Sequence, residues 1–455
     1  MFARKSALTI VFPLFFRQIL GQSGLQLEVE SQESIKSVAK SLTGGLIAAY
    51  NEELKENGVP GLFGGDTYWW EAGTVWNAIA EYSYLTGDHQ YDETISEALQ
   101  WQLGEYDAYM PANQTKTLGN DDQSCWGLAA MTAAEVGLAK PKNAEWADYA
   151  VNVWNTQNSR LESEEGTNGT CGGGLRWQIF TFNNGYNYKN SFTNGNFFLL
   201  SARLAKFTGN TTYLQTADKV FKWSQDVGLV SKDFHVYDGT STTENCTNIA
   251  PIQWTSNVGV YAEGAALMSN ITSAQKWTDA VKSFVNSSSI FMSNGSNIIT
   301  EVACERSGKC NIDQRAFKGI FARTMARTAV ASPWMADTIN EVLKVNAKAA
   351  AGACENAGNP KCSSWAAASK GGRKTAADGN IGEVFSALEV IQGLLYPSAK
   401  GMITANGSSG GNMTQNGGAS SVSGTGAPQA TGAAASIASS MMAVFAIAFA
   451  TALSL

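Results

Sequence analysis

Residues 126–134 read WGLAAMTAA, and almost every position in this stretch is apolar or small. A helix of that composition has no face suited to water, so we expect it to be buried on all sides. Residues 197–205 (FFLLSARLA) and 258–268 (VGVYAEGAALM) have the same character. Each stretch follows a polar loop rich in Gly, Asn or Asp. The sequence therefore predicts fully buried helices that begin directly after polar loops.

A second kind of helix lies between the buried ones and is apolar on one side only. Its apolar residues recur at helical spacing, which is the pattern of a helix with one buried stripe. The clearest examples are Tyr213, Ala217, Val220 and Phe221; Trp277, Ala280, Val281, Phe284 and Val285; and Met335, Ile339, Val342 and Leu343. The alternation of the two kinds indicates a repeated helical hairpin.

The buried helices recur with a period of roughly 62 residues, which indicates one supersecondary unit repeated along the chain. Their predicted starts lie near Trp70, Asp121, Asn194, Asn257, Asp313 and Asn380. Six hairpins of this kind predict two concentric rings of helices, with a cleft at the ends of the inner ones. No linker interrupts residues 25–397, so we expect a single all-α domain there.

The composition argues against several classes of protein. Asp and Glu total 39 against 32 Lys and Arg, and the formal net charge is −7. Without a long basic run, this balance is not that of a nucleic-acid-binding protein. A histidine metal site is not expected, because His89 and His235 are the only histidines. No nucleotide-binding or zinc-protease motif occurs, so we predict no cofactor and no metal.

Both ends of the chain carry segments typical of a secreted, anchored protein. Residues 1–24 join a short basic start to an apolar run and predict a signal peptide. Residues 398–440 are Gly-, Ser- and Ala-rich and predict a disordered linker that contains a GPI-attachment site, and the apolar tail 441–455 completes that signal. The alternatives are an N-terminal membrane anchor and a plain tail-anchored helix. We predict a location at the outer face of the cell membrane or in the cell wall, with the GPI anchor as the membrane contact.

The cysteines and the glycosylation motifs agree with secretion, although six cysteines allow many connectivities. The pairing we expect is Cys304–Cys310, Cys354–Cys362 and Cys171–Cys246, with Cys125 as a buried free thiol. Asn-x-Ser/Thr motifs, the acceptors of N-linked glycans, occur at Asn113, Asn168, Asn210, Asn245, Asn270, Asn286, Asn294, Asn406 and Asn412.

Two consecutive acids, Asp121 and Asp122, stand in the loop GNDDQ (119–123) that opens one buried helix. The common role of such residues is helix capping, but both cannot occupy the one cap position. Like charges this close should separate in pKa, while helix amides favour the ionised form of one of them. One ionised carboxylate beside one proton donor is what glycoside cleavage with retention requires. The pair is therefore our candidate catalytic site.

Aromatic, amide and charged side chains stand at the starts of the other buried helices. Aromatic faces stack on sugar rings, and amides and carboxylates bind hydroxyl groups. For each aromatic the competing interpretation is core packing, and for Arg176 and Lys318 it is a structural ion pair. The candidates for substrate binding are Trp70, Gln123, Trp126, Arg176, Trp177, Tyr188, Asn190, Trp254, Asp313 and Lys318.

Five stretches in this order resemble glycoside hydrolase family 76. They are YWWEAGTVWNAIAEYSYLTGD (68–88), GNDDQSCWGLAAMTAAE (119–135), GYNYKNSFTNGNFFLLSARLAKFTGN (185–210), QWTSNVGVYAEGAALM (253–268) and CNIDQRAFKGIFAR (310–323). The resemblance covers about residues 25–397. More narrowly, the stretches resemble the GPI-anchored fungal cell-wall members of the family, which are mannan endo-1,6-α-mannosidases.

The resemblance implies an (α/α)6 barrel and a retaining attack on α-1,6-linked mannose, with Asp121 as nucleophile and Asp122 as acid/base. It also implies that the substrate is α-mannan or a GPI glycan and that wall glucan is an expected acceptor in a transfer reaction. We expect a monomer. Two alternatives stay open: a non-catalytic wall protein that binds mannan in the same cleft, and an inverting hydrolase or lyase that acts on another glycan.

Overall fold

The computed structural model describes residues 24–165, 171–292, 295–355, 358–365 and 380–406. Within these residues, twelve α-helices alternate between an outer and an inner position. The outer helices are α1 (Gln32–Asn57), α3 (Asp92–Trp101), α5 (Trp146–Glu165), α7 (Thr211–Asp226), α9 (Gln275–Ser287) and α11 (Ala336–Ala353). The inner helices are α2 (Trp69–Thr86), α4 (Asn120–Val136), α6 (Ser191–Thr208), α8 (Thr255–Thr272), α10 (Ile312–Ala331) and α12 (Ile381–Gln392).

The inner helices form a closed ring. Each one contacts the next in the order α2, α4, α6, α8, α10 and α12, and α12 returns to α2. In α6 the apolar stretch 197–205 is buried throughout, and in α8 the stretch 258–268 is buried except at Leu267, as their sequences predict. The outer helix α9 instead buries only one stripe, which consists of Trp277, Ala280, Val281 and Phe284. The predicted (α/α)6 barrel of six hairpins is confirmed.

Each inner helix begins within three residues of its predicted start. Helices α2, α4 and α6 then end at Gly87, Gly137 and Gly209, all with positive φ. Glycine adopts this left-handed conformation without a steric penalty, and its N–H bonds back to a carbonyl of the last helical turn. The ends of these helices are therefore encoded locally.

The two ends of the barrel differ in the length of their connections. Connections that leave the inner helices are short: 87–91, 137–145, 209–210, 273–274 and 332–335. Connections that lead into them are longer: 58–68, 102–119, 166–190, 227–254, 288–311 and 354–380. We call the end with the long connections the mouth and the other the closed end. The predicted disulfides are all present in mouth connections, and Cys125 is free and buried: Cys171–Cys246, Cys304–Cys310 and Cys354–Cys362.

A small antiparallel sheet lies at the mouth and was not predicted. Its strands are β1 (Tyr188–Asn190), β2 (Gly239–Ser241) and β3 (Ile249–Ala250), in the order β1-β2-β3. Strands of two or three residues are too short to show a period of two in the sequence. The sheet joins the connection before α6 to the connection before α8, which the Cys171–Cys246 disulfide also joins.

Buried charged side chains from every inner helix meet on the barrel axis toward the closed end. This axial ion network consists of Glu81, Glu135, Arg203, Glu263, Arg323, Arg327 and Glu389. Arg327 of α10 contacts Glu81 of α2 at 2.9 Å and Glu263 of α8 at 2.7 Å. Because its members come from all six inner helices, the network fixes the helices relative to one another around the axis.

The chain after α12 packs across the closed end. The N–H of Ile403 donates to the Glu135 carbonyl at 2.9 Å, and the N–H of Ala405 donates to the Phe207 carbonyl at 3.0 Å. Met402 packs against the core. The predicted boundary of the disordered linker at residue 398 is therefore wrong: residues 399–406 belong to the barrel, because Met402 and these backbone bonds give them a place on it.

The predicted signal peptide, the GPI signal and the linker beyond residue 406 lie outside the described residues. In the part that is described, no helix is both long and apolar enough to cross a membrane. The glycosylation motifs found there have exposed asparagines, at Asn113, Asn210, Asn245, Asn270, Asn286 and Asn406.

Candidate active site

The first turn of α4 presents the two consecutive acids at the mouth. The helix begins after Gly119, so Asp121 and Asp122 fall in its first turn. The Asp121 carboxylate accepts the N–H of Asp122 at 3.0 Å and the side-chain amide of Asn190 at 3.2 Å. The Asp122 carboxylate accepts the N–H of Gly119 at 2.7 Å. Asp122 therefore caps the helix and also stands in the candidate active site, so the two interpretations of this residue do not exclude each other.

Glycine at position 119 lets the two carboxylates approach the same point. A Cβ there would collide with the Asp121 carboxylate and would lie only 3.2 Å from both Asp122 Oδ2 and the Trp177 carbonyl. That carbonyl accepts the N–H of Asn120 at 2.8 Å, which ties the start of α4 to the connection before α6. Any larger residue would push the acids or this connection apart.

The surroundings of the two acids separate their protonation. Burial raises the pKa of Asp121 to about 6, while the Asn190 amide and the backbone N–H groups act in the opposite direction. Burial and the charge of Asp121 together raise the pKa of Asp122 well above its usual value. Hydrogen bonds to a carboxylate stabilise its charged form, and a neighbouring negative charge destabilises it. Asp121 is therefore the more readily ionised acid of the pair, and Asp122 is the one that favours its protonated form.

Four aromatic rings from α2, α6, α10 and the residue before α8 form a continuous cluster beside the acids. The ring centroids of Trp70 and Phe192 are 6.2 Å apart, and those of Phe192 and Phe317 are 6.3 Å apart. Trp254 meets Phe317 edge-on at 5.6 Å. We call this the aromatic floor. Apolar ring surfaces with few polar groups around them are typical of sugar-binding clefts.

Two further carboxylates are each held by an indole of the aromatic floor. Trp70 Nε1 donates to Asp313 Oδ1 at 3.0 Å, and Trp254 Nε1 donates to Asp238 Oδ1 at 2.8 Å. The second oxygen of Asp238 accepts the Tyr188 hydroxyl at 2.6 Å. These bonds fix the ring and the carboxylate together, so both can present defined atoms to a ligand.

Glu71 adds a buried acid behind the floor. Burial raises the pKa of Glu71 to about 8, and the charge of Asp313 acts in the same direction. One carboxyl oxygen accepts the N–H of Tyr68 at 3.1 Å, whereas the other is buried and has no hydrogen-bond partner among the described residues. Glu71 therefore favours its neutral form and adds little negative charge to the mouth.

Three predicted sugar contacts are wrong, because the side chains lie in the protein interior. Gln123 is completely buried, and its amide donates to the Ala108 carbonyl at 2.7 Å. Trp126 is completely buried and stacks on Trp69 with the ring centroids 5.1 Å apart. Lys318 is 2% exposed and pairs with Glu305 at 2.5 Å. Each side chain is fully used by structural contacts.

Arg176 and Trp177 lie at the mouth but mainly brace the connection before α6. The Arg176 guanidinium pairs with Glu164 at 2.7 Å and lies 4.5 Å from the centre of the Tyr186 ring. For Arg176, the structural ion pair that competed with ligand binding is what the structure contains. The Trp177 ring is half-buried and meets Tyr188 edge-on at 6.5 Å.

The predicted residues that the structure brings together around the acids are Trp70, Tyr188, Asn190, Trp254 and Asp313. The residues that sequence reasoning missed are Glu71, Phe192, Asp238 and Phe317. Phe192 and Phe317 stand in the first two turns of inner helices. This position near the predicted helix starts would have identified them from the sequence as residues of the mouth. Asp238 lies in a long connection and carries no such signal. Among the described residues, no group of three or more His, Cys, Asp or Glu is placed to hold a metal ion.

Sequence relatives identify the family to which this architecture belongs. Residues 34–406 match the model of Glycosyl hydrolase family 76. The mannan endo-1,6-alpha-mannosidase DCW1 of Candida albicans is 39% identical over 398 residues, which cover 85% of this chain and 86% of that protein. The mannan endo-1,6-alpha-mannosidase DFG5 of Saccharomyces cerevisiae is 38% identical over 400 residues, with coverage of 86% and 84%.

Solved structures agree with the sequence relatives. Dfg5 from Chaetomium thermophilum, in complex with glucosamine, matches with a TM-score of 0.74 at 34% identity and covers 85% of this chain and 97% of that one. An α-1,6-mannanase from Salegentibacter sp., in complex with α-1,6-mannotriose, has a TM-score of 0.59 at 17% identity, covers 79% and 99%, and shows the fold alone. The chain therefore belongs to glycosyl hydrolase family 76 and is a glycoside hydrolase.

Proposed function

We propose that this chain is a mannan endo-1,6-α-mannosidase that cleaves with retention. The observation that carries the proposal is the pair Asp121 and Asp122, which stand in one helical turn at the mouth with pKa values raised to different extents. The relatives in Candida and Saccharomyces bear this activity in their names. In the Salegentibacter α-1,6-mannanase, an inactive variant has two consecutive aspartates replaced by asparagine.

In the proposed mechanism, Asp121 is the nucleophile and Asp122 is the acid/base. Asp122 gives its proton to the glycosidic oxygen as the bond to C1 breaks, and the Asp121 carboxylate forms a covalent bond to C1 from the opposite face. Asp122, now ionised, takes a proton from water or from a sugar hydroxyl. That oxygen attacks C1 and displaces Asp121, so the configuration at C1 is retained.

The carboxylates of Asp313 and Asp238 at the mouth support a GPI glycan as a natural donor besides α-mannan. The Chaetomium relative binds glucosamine, whose amine is protonated at neutral pH. Carboxylates such as Asp313 and Asp238 would attract that cation, and buried charge pairs are strongest where water is excluded. We further propose that the protein is a secreted, GPI-anchored monomer of the membrane face or wall and that a glucan hydroxyl serves as acceptor.

Product analysis tests the proposed function. Purified protein is incubated with an α-1,6-mannooligosaccharide, with and without a glucan oligosaccharide, and the products are separated by chromatography. We expect shorter mannooligosaccharides whose new reducing end is initially the α-anomer by NMR. With the glucan present, a mixed mannosyl-glucan product should also form. An initial β-anomer would identify an inverting enzyme, and no product at all would identify a binding protein.

The pH dependence of kcat/KM should report the two acids in the free enzyme. Asp121 must be ionised, so activity should fall about tenfold per pH unit below its pKa of about 6. Asp122 must be protonated, so activity should fall again at higher pH. In Asn190→Ala the amide that stabilises the Asp121 carboxylate is lost, and the acid limb should move to higher pH. An acid limb near pH 4 in the wild type, or no movement in the variant, would contradict this assignment.

A further inference from the structure

We infer that the stacked rings of Phe180 and Phe182 form a platform for a sugar ring of the acceptor, on the side of the site where the leaving group departs. Phe182 is 68% exposed, the largest fraction among the exposed large hydrophobic residues of the described chain. Its ring lies nearly parallel to that of Phe180, at 12° and 5.4 Å between centroids. This inference rests on the proposed function.

The platform is fixed to the mouth by backbone bonds. The N–H of Ile179 donates to the Leu118 carbonyl at 3.2 Å, and Gly119 pairs with Gln178 in an antiparallel bridge. Beyond these bonds the chain turns, because the N–H of Asn183 returns to the Phe180 carbonyl at 3.0 Å. The side chain of Asn183 also donates to the Thr115 carbonyl at 3.0 Å. The exposed ring is therefore presented on a braced turn.

The bond between Asp122 and Gly119 connects this turn to the proposed acid/base. The Asp122 carboxylate accepts the Gly119 N–H at 2.7 Å, and Gly119 pairs with Gln178. In a retaining mechanism the acid/base stands beside the leaving group, and the acceptor then occupies the same place. Phe180 follows Gln178 by two residues, so their Cα atoms are at most about 7 Å apart.

A pyranose ring is the occupant that this geometry suits. Phe182 is 68% exposed while its ring stacks on Phe180, so this pair offers one small apolar plane rather than a broad protein interface. Sugars bind to such planes through their C–H faces while their hydroxyls remain in water. The same chemistry is offered by mannan and by glucan acceptors, so both belong in the test.

Because Phe182 binds the acceptor in this proposal, replacing Phe182 should change how the ratio of transfer to hydrolysis depends on the acceptor concentration. With a fixed donor mannooligosaccharide, the ratio of transfer to hydrolysis is measured against α-1,6-mannobiose or a glucan oligosaccharide as acceptor. In Phe182→Ala the acceptor concentration that gives half of the maximal ratio should rise about three- to tenfold, as expected from the loss of one stacking contact. Phe182→Trp, which keeps an aromatic face, should restore it.

Trp334→Ala is the matched control, because Trp334 is 47% exposed and lies in a short connection at the closed end. It should leave the acceptor dependence unchanged. Calorimetric binding of the same acceptors to wild type and Phe182→Ala needs no turnover. An unchanged Kd in Phe182→Ala overturns the inference. A weakened Kd without turnover in any of the proteins overturns the proposed function and leaves the platform supported.

Discussion

Asp121→Asn is expected to lower kcat on an α-1,6-mannooligosaccharide at least about a thousandfold, because asparagine cannot form the covalent intermediate. Asp122→Asn should lose a similar factor on this substrate, since its leaving group requires a proton. With an aryl mannobioside whose leaving group needs no proton, Asp122→Asn should recover the first step, whereas Asp121→Asn should not. Wild-type-like turnover by either variant would contradict the assignment of Asp121 and Asp122 as the catalytic residues.

Azide distinguishes the two roles by the configuration of its product. In Asp121→Gly, azide attacks from the vacant nucleophile side, so the glycosyl azide should be inverted. In Asp122→Gly, azide attacks the intermediate in place of the activated acceptor, so the product should retain its configuration. If Asp121→Gly gave the retained azide and Asp122→Gly the inverted one, the roles of nucleophile and acid/base would have to be exchanged. Asp279→Asn, at an exposed position of the outer helix α9, is the matched control and should keep full activity.

Neither asparagine variant is expected to unfold the barrel. Both carboxyls have raised pKa values in the folded state, so their contribution to the free energy of unfolding is favourable at low pH and is lost as the pH rises through those values. Removing them should leave the melting temperature at neutral pH equal or higher. In Asp122→Asn the amide oxygen of the new side chain can still accept the Gly119 N–H, since asparagine also serves in helix capping.

The ring of helices could be predicted because buried apolar residues recur in the sequence with a regular period. The details at the mouth could not, because they depend on hydrogen bonds made by individual side chains. Helix α6 begins three residues before the predicted Asn194, since Asn190 supplies the cap and accepts the N–H of Thr193 at 2.9 Å. The sheet rests on pairing between Tyr188 and Ser241, which are far apart in sequence. No local pattern announces such a pairing.

The site could be predicted as a pair of acids but not as a complete cleft. Successive residues of a helix point about 100° apart, so the residue after two mouth-facing acids turns toward a neighbouring helix. That is why Gln123 reaches Thr156 of α5 at 2.9 Å instead of the cleft. Asp238 reaches the site through bonds to Tyr188 and Trp254, and those contacts exist only after the chain has folded.

The largest expected loss of stability follows from the axial ion network. Arg327 bonds to carboxylates on three other inner helices, Glu81, Glu135 and Glu263, and is 6% exposed. Arg327→Met would leave those charges in the interior without this partner. Removing one member of a buried ion pair costs about 3–5 kcal/mol, so the free energy of unfolding should fall by at least that amount. Lys140 forms an exposed pair with Glu145, and loss of such a pair should leave the stability almost unchanged, which makes Lys140→Met the control.

The pH dependence of the variant separates lost charge pairing from lost packing. Burial already raises the pKa of Glu263 despite the opposing charge of Arg327. Without Arg327, the pKa of Glu263 should rise further. The pKa of Glu135, which Arg203 and Arg327 hold below its usual value despite burial, should rise as well. A carboxyl with a raised folded-state pKa favours folding at low pH, and this contribution is lost as the pH increases. The melting temperature of Arg327→Met should therefore recover toward the wild-type value between pH 8 and pH 5.

Neutral replacement of the partners provides the converse experiment. Adding Glu81→Gln and Glu263→Gln to Arg327→Met removes two of the unpaired charges while keeping similar side-chain volumes. Because a buried ion network can often be replaced by neutral groups at little cost, the triple variant should regain at least half of the lost stability. If it regains none, and if the single variant shows no dependence on pH, then Arg327 stabilises the barrel through packing of its long side chain. In that case the charges mainly determine how the inner helices are oriented about the barrel axis. They would contribute little to the free energy of unfolding.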